Sequence, residues 1–379
     1  MTGSHDPDAP FNQIDVKEIL ELCLSCKGCK RECPSNVDMA KLKAEFLQGY
    51  YDRNGTPWRT RLIAASHRVS HWASKIPWFY HWLTQSEPVS RLTKRLAGFH
   101  PKRSLPRISH PTFRDWFRQR DPHTNAGRQG SVWLFVDEFT NYLDAHVGQA
   151  CVELLEQLGY AVELPSHEAS GRAAISMGLL RKARQLAQSN VRQLSECVTA
   201  EKPLIGVEPS AILSFRDEYP DLVGPSWRAT SQRLAHHVFT IEEFLMQRFA
   251  RGEFKRDAFS DRTQAIRLHG HCHQKALAQL ATTTEALQLP LNFKVRLIPS
   301  GCCGMAGSFG YEQDKYELSM QIGELVLFPA IRQEPEATWI AAPGTSCRHQ
   351  ILDGTQRVAL HPVEILRRAL KSDTTERHH

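Results

Sequence analysis

Two adjacent cysteines between glycines, in the stretch Gly301-Cys302-Cys303-Gly304, constrain this chain more than any other feature. Paired thiols pack poorly, whereas thiolate sulfur is a preferred ligand of iron–sulfur clusters and zinc. Because glycine lacks a Cβ atom, the backbone can turn sharply there and bring both sulfurs to one centre. Two sulfurs do not complete a metal site, so Cys272 and Cys347 are the expected further ligands. In the alternative, all four are buried apolar thiols.

Histidines accompany both of the separate cysteines. Cys272 lies in His269-Gly270-His271-Cys272-His273, and Cys347 lies in Thr345-Ser346-Cys347-Arg348-His349. Imidazole nitrogen is also a metal ligand, so these segments are dense in ligand types. The expected ligands are Cys272, Cys302, Cys303 and Cys347, and the further candidates are His271, His273 and His349. A second iron–sulfur cluster and a tetrahedral zinc ion both fit this set.

A second group of cysteines lies near the N-terminus, at Cys23, Cys26, Cys29 and Cys33, with Pro34 after the last. This is the C-x2-C-x2-C-x3-C-P spacing of bacterial ferredoxins, so we assign the four cysteines to a [4Fe–4S] cluster. In two-cluster ferredoxins the fourth cysteine of each run serves the other cluster, and one run is found here. Either Cys33 closes its own cluster, or a partner chain supplies the missing run, or an upstream segment has been lost.

The length of 379 residues and the apolar content of 41% are enough for two or three domains. No apolar run is long enough to span a bilayer, and residues Met1–Pro10 are polar, so we expect neither a membrane span nor a signal peptide. We therefore expect a cytoplasmic protein. In that compartment, ten cysteines indicate metal or redox chemistry rather than disulfides.

The positive charge is concentrated in one segment. Between Tyr51 and Arg120 there are fourteen Lys and Arg residues against three Asp and Glu, whereas the whole chain carries a net charge of +6. Tryptophans and prolines punctuate the segment, which predicts a connector of short helices. Its composition suits a membrane surface, a docking face for an acidic partner, or a solvated face with buried tryptophan anchors. No nucleic-acid-binding motif accompanies the charge, so we expect no nucleic-acid partner.

After Gly130 short apolar strands alternate with helical patterns, and the second half repeats the first. The aligned stretches are Leu134-Phe-Val-Asp-Glu138 with Leu268-His-Gly-His-Cys272, Ala169-Ser170-Gly171 with Cys302-Cys303-Gly304, Pro209-Ser210-Ala211 with Thr345-Ser346-Cys347, and Ile241-Glu-Glu-Phe-Leu245 with Pro362-Val-Glu-Ile-Leu366. Each cysteine of the second half has a non-cysteine counterpart. The repeat therefore predicts two α/β units, of which the first keeps the scaffold without the ligands.

Strands are expected at 265–268, 294–298 and 338–342, and cysteines follow each of them within a few residues. Because ligands gather beyond the carboxyl ends of parallel strands, we expect the four thiols at one sheet edge. A helix over 317–327 is expected to cover the sheet with its apolar residues. Those residues are Leu318, Ile322, Leu325 and Val326. Cys151 and Cys197 lie in helical patterns, and we interpret both as packing residues.

A family resemblance lies in the ferredoxin run, in Phe135-Val-Asp-Glu-Phe-Thr-Asn141, in Gly206-Val-Glu-Pro-Ser210 and in Ser300-Gly-Cys-Cys-Gly-Met-Ala-Gly-Ser-Phe-Gly310. These stretches resemble the iron–sulfur, CCG-domain region of FAD-linked D-2-hydroxyacid dehydrogenases of the D-2-hydroxyglutarate dehydrogenase type. They are also similar to the iron–sulfur subunit of glycolate oxidase, to the C subunit of anaerobic glycerol-3-phosphate dehydrogenase and, more distantly, to the B subunit of heterodisulfide reductase. The resemblance covers almost the whole chain.

The resemblance and the repeat together imply an α/β fold class. A helical ferredoxin-type N-terminal segment is followed by two duplicated α/β CCG-type domains with parallel sheets. The implied divisions are a [4Fe–4S] segment at 1–50, a basic connector at 51–129, a first repeat at 130–255 and a second, metal-bearing repeat at 256–379.

The resemblance also implies a function. In the relatives this region follows a flavin domain that oxidises a hydroxyacid such as D-2-hydroxyglutarate, D-lactate or glycolate, and the sequence shows no such domain. It implies an oxidoreductase component that accepts electrons from a separate FAD-linked dehydrogenase and passes them to an acceptor, with FAD bound by the partner. Quinone at the inner face of a membrane is one candidate acceptor. The alternatives are a zinc-binding scaffold and a thiol/disulfide redox protein.

Two departures from the family pattern bear on the sites. The first repeat has Ala169-Ser170-Gly171 and Ala211 where the family has cysteines, so we expect no metal in that half. In heterodisulfide reductase the last cysteine belongs to a C-x-x-C pair, whereas Arg348, His349 and Gln350 follow Cys347. Four thiolates with help from histidine are therefore expected, rather than a five-cysteine cluster.

Overall fold

The structure is a computed structural model that describes residues 11–371. The segment 1–10, which entered the expectation of no signal peptide, lies outside the described residues. Across residues 11–371, no helix has both the length and the apolar character that crossing a bilayer requires.

The regular elements of residues 11–129 are helices. They are α1 (Ile14–Glu21), α2 (Gly28–Glu32), α3 (Met39–Asn54), α4 (Trp58–Ala64), α5 (Ser66–Lys75), α6 (Pro77–Gln85), α7 (Glu87–Ala97) and α8 (Phe113–Gln119). Helix α3 begins where the Asp38 carboxylate accepts the backbone N–H groups of Ala40 and Lys41, and it ends at Gly55. Helix α2 is a single turn inside the cysteine run.

The basic connector consists of short helices, as predicted, but four of its five tryptophans do not anchor it, and only Trp116 packs against the core. Trp58, Trp72, Trp78 and Trp82 are 60%, 72%, 71% and 51% exposed. The expectation of buried tryptophan anchors is therefore wrong for these four residues. Helices α4–α7 instead present a surface of aromatic and basic side chains to solvent, and a face of this composition is typical of an interaction surface.

Two α/β units follow. The first contains β1 (Ser131–Leu134), α9 (Glu138–Tyr142), α10 (Ala145–Gln157), β2 (Ala161–Glu163), α11 (Arg172–Ser176), α12 (Leu180–Leu194), β3 (Leu204–Gly206), α13 (Pro209–Ile212), α14 (Tyr219–Leu222), α15 (Pro225–Ala235), β4 (Val238–Thr240) and α16 (Ile241–Ala250). The second contains β5 (Gln264–Leu268), α17 (Cys272–Leu277), α18 (Leu280–Leu287), β6 (Phe293–Leu297), α19 (Tyr316–Leu325), α20 (Leu327–Arg332), β7 (Trp339–Ala341), α21 (Thr345–Thr355), β8 (Ala359–Leu360) and α22 (Pro362–Ala369).

The two sheets have one topology. All strand pairs are parallel, and the strand orders are β2-β1-β3-β4 and β6-β5-β7-β8. Strands β1 and β5 end at Leu134 and Leu268, which the sequence repeat aligned. The last helices also begin alike, since Thr240 and His361 both form capping boxes with a glutamate three residues later. The α/β fold class with duplicated parallel sheets is confirmed.

One apolar core joins the two units. It contains Leu134 and Phe244 from the first unit together with Leu268 and Leu366 from the second. Cys151 is fully buried in this core, which fits its interpretation as a packing residue. Because the units share a core, residues of the first unit can contact the cysteine-bearing edge of the second.

The predicted covering helix is broken and uses another face. Helices α19 and α20 divide the span, and Leu325 is 77% exposed. The buried residues of α19 are Tyr316, Ser319 and Gly323. A Cβ atom on Gly323 would lie 2.3 Å from the Phe328 ring, so the small residues are what allow close approach. The expected apolar face of Leu318, Leu325 and Val326 is therefore wrong.

Candidate metal centre

The four cysteines of the second unit converge, and we call them the thiol centre. Cys272 begins α17 after β5, Cys302 and Cys303 follow β6, and Cys347 lies in the first turn of α21 after β7. The Cys272 thiol interacts with that of Cys302, Cys302 with Cys303, and Cys303 with Cys347. Three parallel strands thus deliver the predicted thiols to one sheet edge.

Electrostatics at the thiol centre favour a bound cation. The neighbouring Cys302 thiol, and then burial, hold the pKa of Cys272 well above its usual value. Lys275 lies close enough to interact with all four cysteines, and its Nζ donates to the Ser300 carbonyl oxygen at 2.6 Å. One lysine does not balance four thiolates, so a metal ion or cluster is the charge that this donor set fits.

Glycines give the cysteine loop its shape. Gly304 has a φ of +95°, and a Cβ atom there would lie 2.3 Å from the Ser319 carbonyl oxygen. Gly344 is close-packed as well, since a Cβ atom there would lie 2.3 Å from His271 Cδ2 and 3.3 Å from Cys347 Sγ. Gly301 is different from Gly304 and Gly344, because a Cβ atom added at Gly301 would have no heavy atom within 4 Å.

These glycines give a matched test of the loop. We expect Gly304→Ala to lower the free energy of unfolding by about 3 kcal/mol or more, because it combines a left-handed φ with a backbone clash. Gly301→Ala should change it by no more than about 0.5 kcal/mol, since the position is open. Chemical denaturation of both variants gives the measurement. Equal midpoints for the two variants would contradict the role assigned to Gly304.

The candidate histidines differ in what their rings contact. His271 caps α17 by accepting the His273 backbone N–H on Nδ1, and its Nε2 lies 3.8 Å from a Glu208 carboxylate oxygen. His273 is buried, and neither of its ring nitrogens has a hydrogen-bond partner among the described residues. One ligand atom each from His271, Cys272 and His273 lie within 4.8 Å of one another.

The structure does not bring His349 to the thiols. Its Nδ1 lies 2.7 Å from the Tyr311 hydroxyl and its Nε2 lies 2.5 Å from the Ser104 hydroxyl. With both ring nitrogens engaged, His349 has none left for a metal. The expectation that His349 assists the centre is therefore not supported by the geometry.

Sequence reasoning passed over His269. A ring nitrogen of His269 and the sulfurs of Cys303 and Cys347 lie within 4.8 Å of one another. His269 directly follows β5. The rule that placed the cysteines, position just past a parallel strand, could have found it too.

The N-terminal cysteines lie against this region. Cys26 interacts electrostatically with Cys23 and Cys29 of its own run and also with Cys272. Cys33 is set apart, because the groups that lower the pKa of its thiol are the backbone N–H groups of residues 35–37, that of Val37 first. Cys26 therefore links its own run to the thiol centre, whereas the Cys33 thiol interacts with the backbone that follows it.

A buried lysine fixes the run to the first α/β unit. Lys27 is 1% exposed, and its Nζ lies 2.9 Å from an Asp38 oxygen, 2.6 Å from one of Asp217 and 3.2 Å from one of Glu218. Asp217 and Glu218 belong to the first unit. Glu218 also accepts from Arg172 at 2.6 Å. We call this group the Lys27 ion cluster.

Comparison with known proteins agrees with this arrangement. Over 372 residues the chain is 26% identical to D-2-hydroxyglutarate dehydrogenase of Haemophilus influenzae, in a match that covers 94% of this chain and 35% of that protein. It is 26% identical over 341 residues to the C subunit of anaerobic glycerol-3-phosphate dehydrogenase of Escherichia coli, covering 89% and 83%. Lactate utilization protein A of Macrococcus caseolyticus is 26% identical over 257 residues, covering 64% and 99%.

The chain is homologous to the iron–sulfur, CCG-domain proteins of this group. It spans about a third of the length of the D-2-hydroxyglutarate dehydrogenase, 35%. No protein-family profile matches it. The resemblance predicted from the cysteine motifs is confirmed.

The first CCG-type unit shows what stands where the thiols are missing. At the position of Cys272 it has Glu138, whose oxygens accept from the Ser170 hydroxyl at 2.8 Å and the Ser170 N–H at 3.1 Å. Ser170 is the counterpart of Cys303. Asp137 caps α9 by accepting two backbone N–H groups. The side chains at this edge therefore hydrogen-bond to one another and to the backbone.

Proposed function

We propose that this chain is the iron–sulfur electron-transfer component of an oxidoreductase, and that its electrons come from an FAD-linked dehydrogenase acting on a 2-hydroxyacid. The observation that carries the proposal is the proximity of the two cysteine sets, with Cys26 interacting with Cys272. The similarity to D-2-hydroxyglutarate dehydrogenase supports the substrate class, and the similarity to one component of a multi-subunit dehydrogenase supports a separate partner.

In this proposal the N-terminal run holds a [4Fe–4S] cluster, and the thiol centre holds a second iron–sulfur cluster. The proposed ligands are Cys23, Cys26 and Cys29 in the run, and Cys272, Cys302, Cys303 and Cys347 at the thiol centre. Bound clusters would supply one-electron carriers whose potential responds to ligation, hydrogen bonding and exposure. The protein contributes the placement of both sites, the hydrogen bonds to sulfur and the exclusion of water.

Backbone donors aimed at sulfur are part of that contribution. The Met39 N–H lies 3.4 Å from Cys29 Sγ, the Ser25 N–H 3.5 Å from Cys23 Sγ, and the Gly304 N–H 3.5 Å from Cys302 Sγ. Such donors stabilise negative charge on sulfur and so favour the reduced form of a cluster.

The surroundings of Cys33, the fourth cysteine of the run, favour a partner chain at the N-terminal site. The Cys33 thiol accepts the backbone N–H groups of residues 35–37, and helix α1, which leads directly into the run, has no buried residue. Its apolar side chains include Ile14 and Ile19, which are exposed, as is the adjacent Leu22. We assign this face to the flavoprotein partner, which would complete the ligands there. The basic tryptophan face of α4–α7 offers a second surface for an acidic partner.

Metal analysis tests the proposal. We expect the anaerobically purified full chain to contain iron and sulfide, to absorb broadly in the visible range and to give two distinct sets of EPR signals on reduction. Cys26→Ser should remove only the signals of the N-terminal cluster, because the thiol centre has its own ligands. Colourless protein without iron would refute the electron-transfer role. Zinc bound in the Cys26→Ser variant, without iron, would support the scaffold alternative at the thiol centre.

A further inference from the structure

His269 is a buried histidine with one ring nitrogen satisfied and the other free. It is 1% exposed and directly follows β5. Its Nδ1 lies 2.8 Å from the Ser300 hydroxyl, and its Nε2 has no hydrogen-bond partner among the described residues. Buried polar atoms nearly always have a partner, so the free Nε2 indicates a group that completes the site.

The sulfurs near His269 indicate that this group is a metal. A ring nitrogen of His269 lies within 4.8 Å of the sulfurs of both Cys303 and Cys347, and these two sulfurs lie within the same distance of each other. A single metal ion placed among the three atoms could contact all of them. Thiolate and imidazole together suit zinc and iron.

The hydrogen bond to Ser300 is the usual companion of a metal-binding histidine. Such a histidine almost always gives its other ring N–H to an oxygen, which fixes the tautomer and the ring orientation. With the proton on Nδ1 and donated to the Ser300 hydroxyl, the lone pair of Nε2 is free to bind.

The other histidines near the cysteines do not combine these features. His349 uses both ring nitrogens on Tyr311 and Ser104. His271 uses Nδ1 on the backbone, and its Nε2 faces the Glu208 carboxylate. His273 has two free nitrogens, but its close group is with His271 and Cys272 rather than with Cys303 and Cys347.

We propose that His269 binds the metal of the thiol centre through Nε2, with Ser300 as the positioning residue for the ring. This rests on the proposed function in so far as the centre holds iron. A cubane cluster takes four protein ligands. With His269 the thiol centre offers five possible ligands. Either the bound group has more protein ligands than a cubane, or His269 replaces one of the four cysteines. Both arrangements predict a nitrogen bound directly to metal.

Pulsed EPR of the full chain labelled with ¹⁵N-histidine tests this directly. Cys26→Ser is used as the background, so that the reduced thiol centre is the source of the signal. We expect a nitrogen coupling of the size that direct bonding gives. His269→Gln should abolish it, whereas the matched His349→Gln should leave it unchanged. Ser300→Ala should keep the metal but alter the coupling, because the ring loses its orientation.

Each outcome separates this inference from the proposed function. An iron signal without directly bound nitrogen in the Cys26→Ser background overturns the role of His269 and leaves electron transfer standing, even if the His269 variant fails to fold. If the centre holds zinc instead, the electron-transfer proposal fails for this site. Zinc X-ray absorption then tests His269, with one nitrogen among sulfur ligands supporting it and four sulfurs overturning it.

Discussion

Cys303→Ser is expected to abolish metal binding at the thiol centre and to leave the N-terminal cluster in place. Cys303 is one of the two inner thiols of the centre, because it interacts with the thiols of both Cys302 and Cys347. It is also one of the three residues in the close group with His269. A serine hydroxyl is a poor ligand for iron or zinc compared with thiolate, and it leaves the group without one of its donors.

Cys303→Ser should remove the EPR signals of the thiol centre and leave those of the N-terminal cluster at full intensity. If both centres are four-iron clusters, roughly half of the bound iron is lost. Cys197→Ser is the matched control, because Cys197 lies just after α12, packs against the apolar core of the first unit and donates its thiol to the carbonyl oxygens of Gln193 and Leu194. Iron content and EPR of the reduced protein give the measurement. Loss of both sets of signals in Cys303→Ser would contradict the independence of the two sites.

Lys27→Met is expected to lower the free energy of unfolding by about 3 kcal/mol, because it leaves buried carboxylates without their main cation. Lys30 and Lys41 still face Asp217, so the loss should fall at the lower end of the range for broken buried ion pairs. The N-terminal run should also lose iron, since this lysine holds the run against the first unit.

Arg181→Met is the control for Lys27→Met. It breaks the exposed Arg181–Asp52 pair, so it should change stability by less than about 1 kcal/mol. Urea denaturation of both variants provides the comparison. If the midpoints of Lys27→Met and Arg181→Met coincide, the Lys27 ion cluster does not hold the run.

The contribution of the Lys27 ion cluster to stability should depend on pH. Although burial raises it, the charge and hydrogen bonds of Lys27, with Lys30, hold the pKa of Asp217 well below its usual value. A carboxyl whose folded-state pKa is depressed stabilises the fold above its unfolded-state pKa of about 4, and the contribution is lost as the pH falls below it. The difference between wild type and Lys27→Met should therefore shrink in acid.

The sequence predicted the features that depend on strand periodicity and on spacing along the chain. The ends of β5, β6 and β7 place four thiols at one edge, and that convergence follows from parallel strands alone. The equivalence of Leu134 and Leu268 at the ends of β1 and β5 followed from the sequence repeat. Both inferences need only the position of a residue relative to its own strand.

The sequence did not predict other features, because they depend on contacts between residues that are far apart along the chain. The Lys27 ion cluster joins the N-terminal run to Asp217, and no local pattern pairs two charges so far apart in sequence. The covering helix was assigned by its leucines, whereas close packing selected Ser319 and Gly323. Tryptophan is a typical core residue, and only the structure shows that Trp58, Trp72, Trp78 and Trp82 of the connector face solvent.

The attachment of the N-terminal run limits what pieces of this protein can reveal. A fragment that ends before β1 would carry the ferredoxin cysteines but neither Asp217 nor Glu218, which hold Lys27. A fragment that starts at β5 would keep the four thiols but lose the loop whose Cys26 interacts with Cys272. Dissection into modules would therefore alter both centres, and their spectroscopic properties belong to the intact polypeptide.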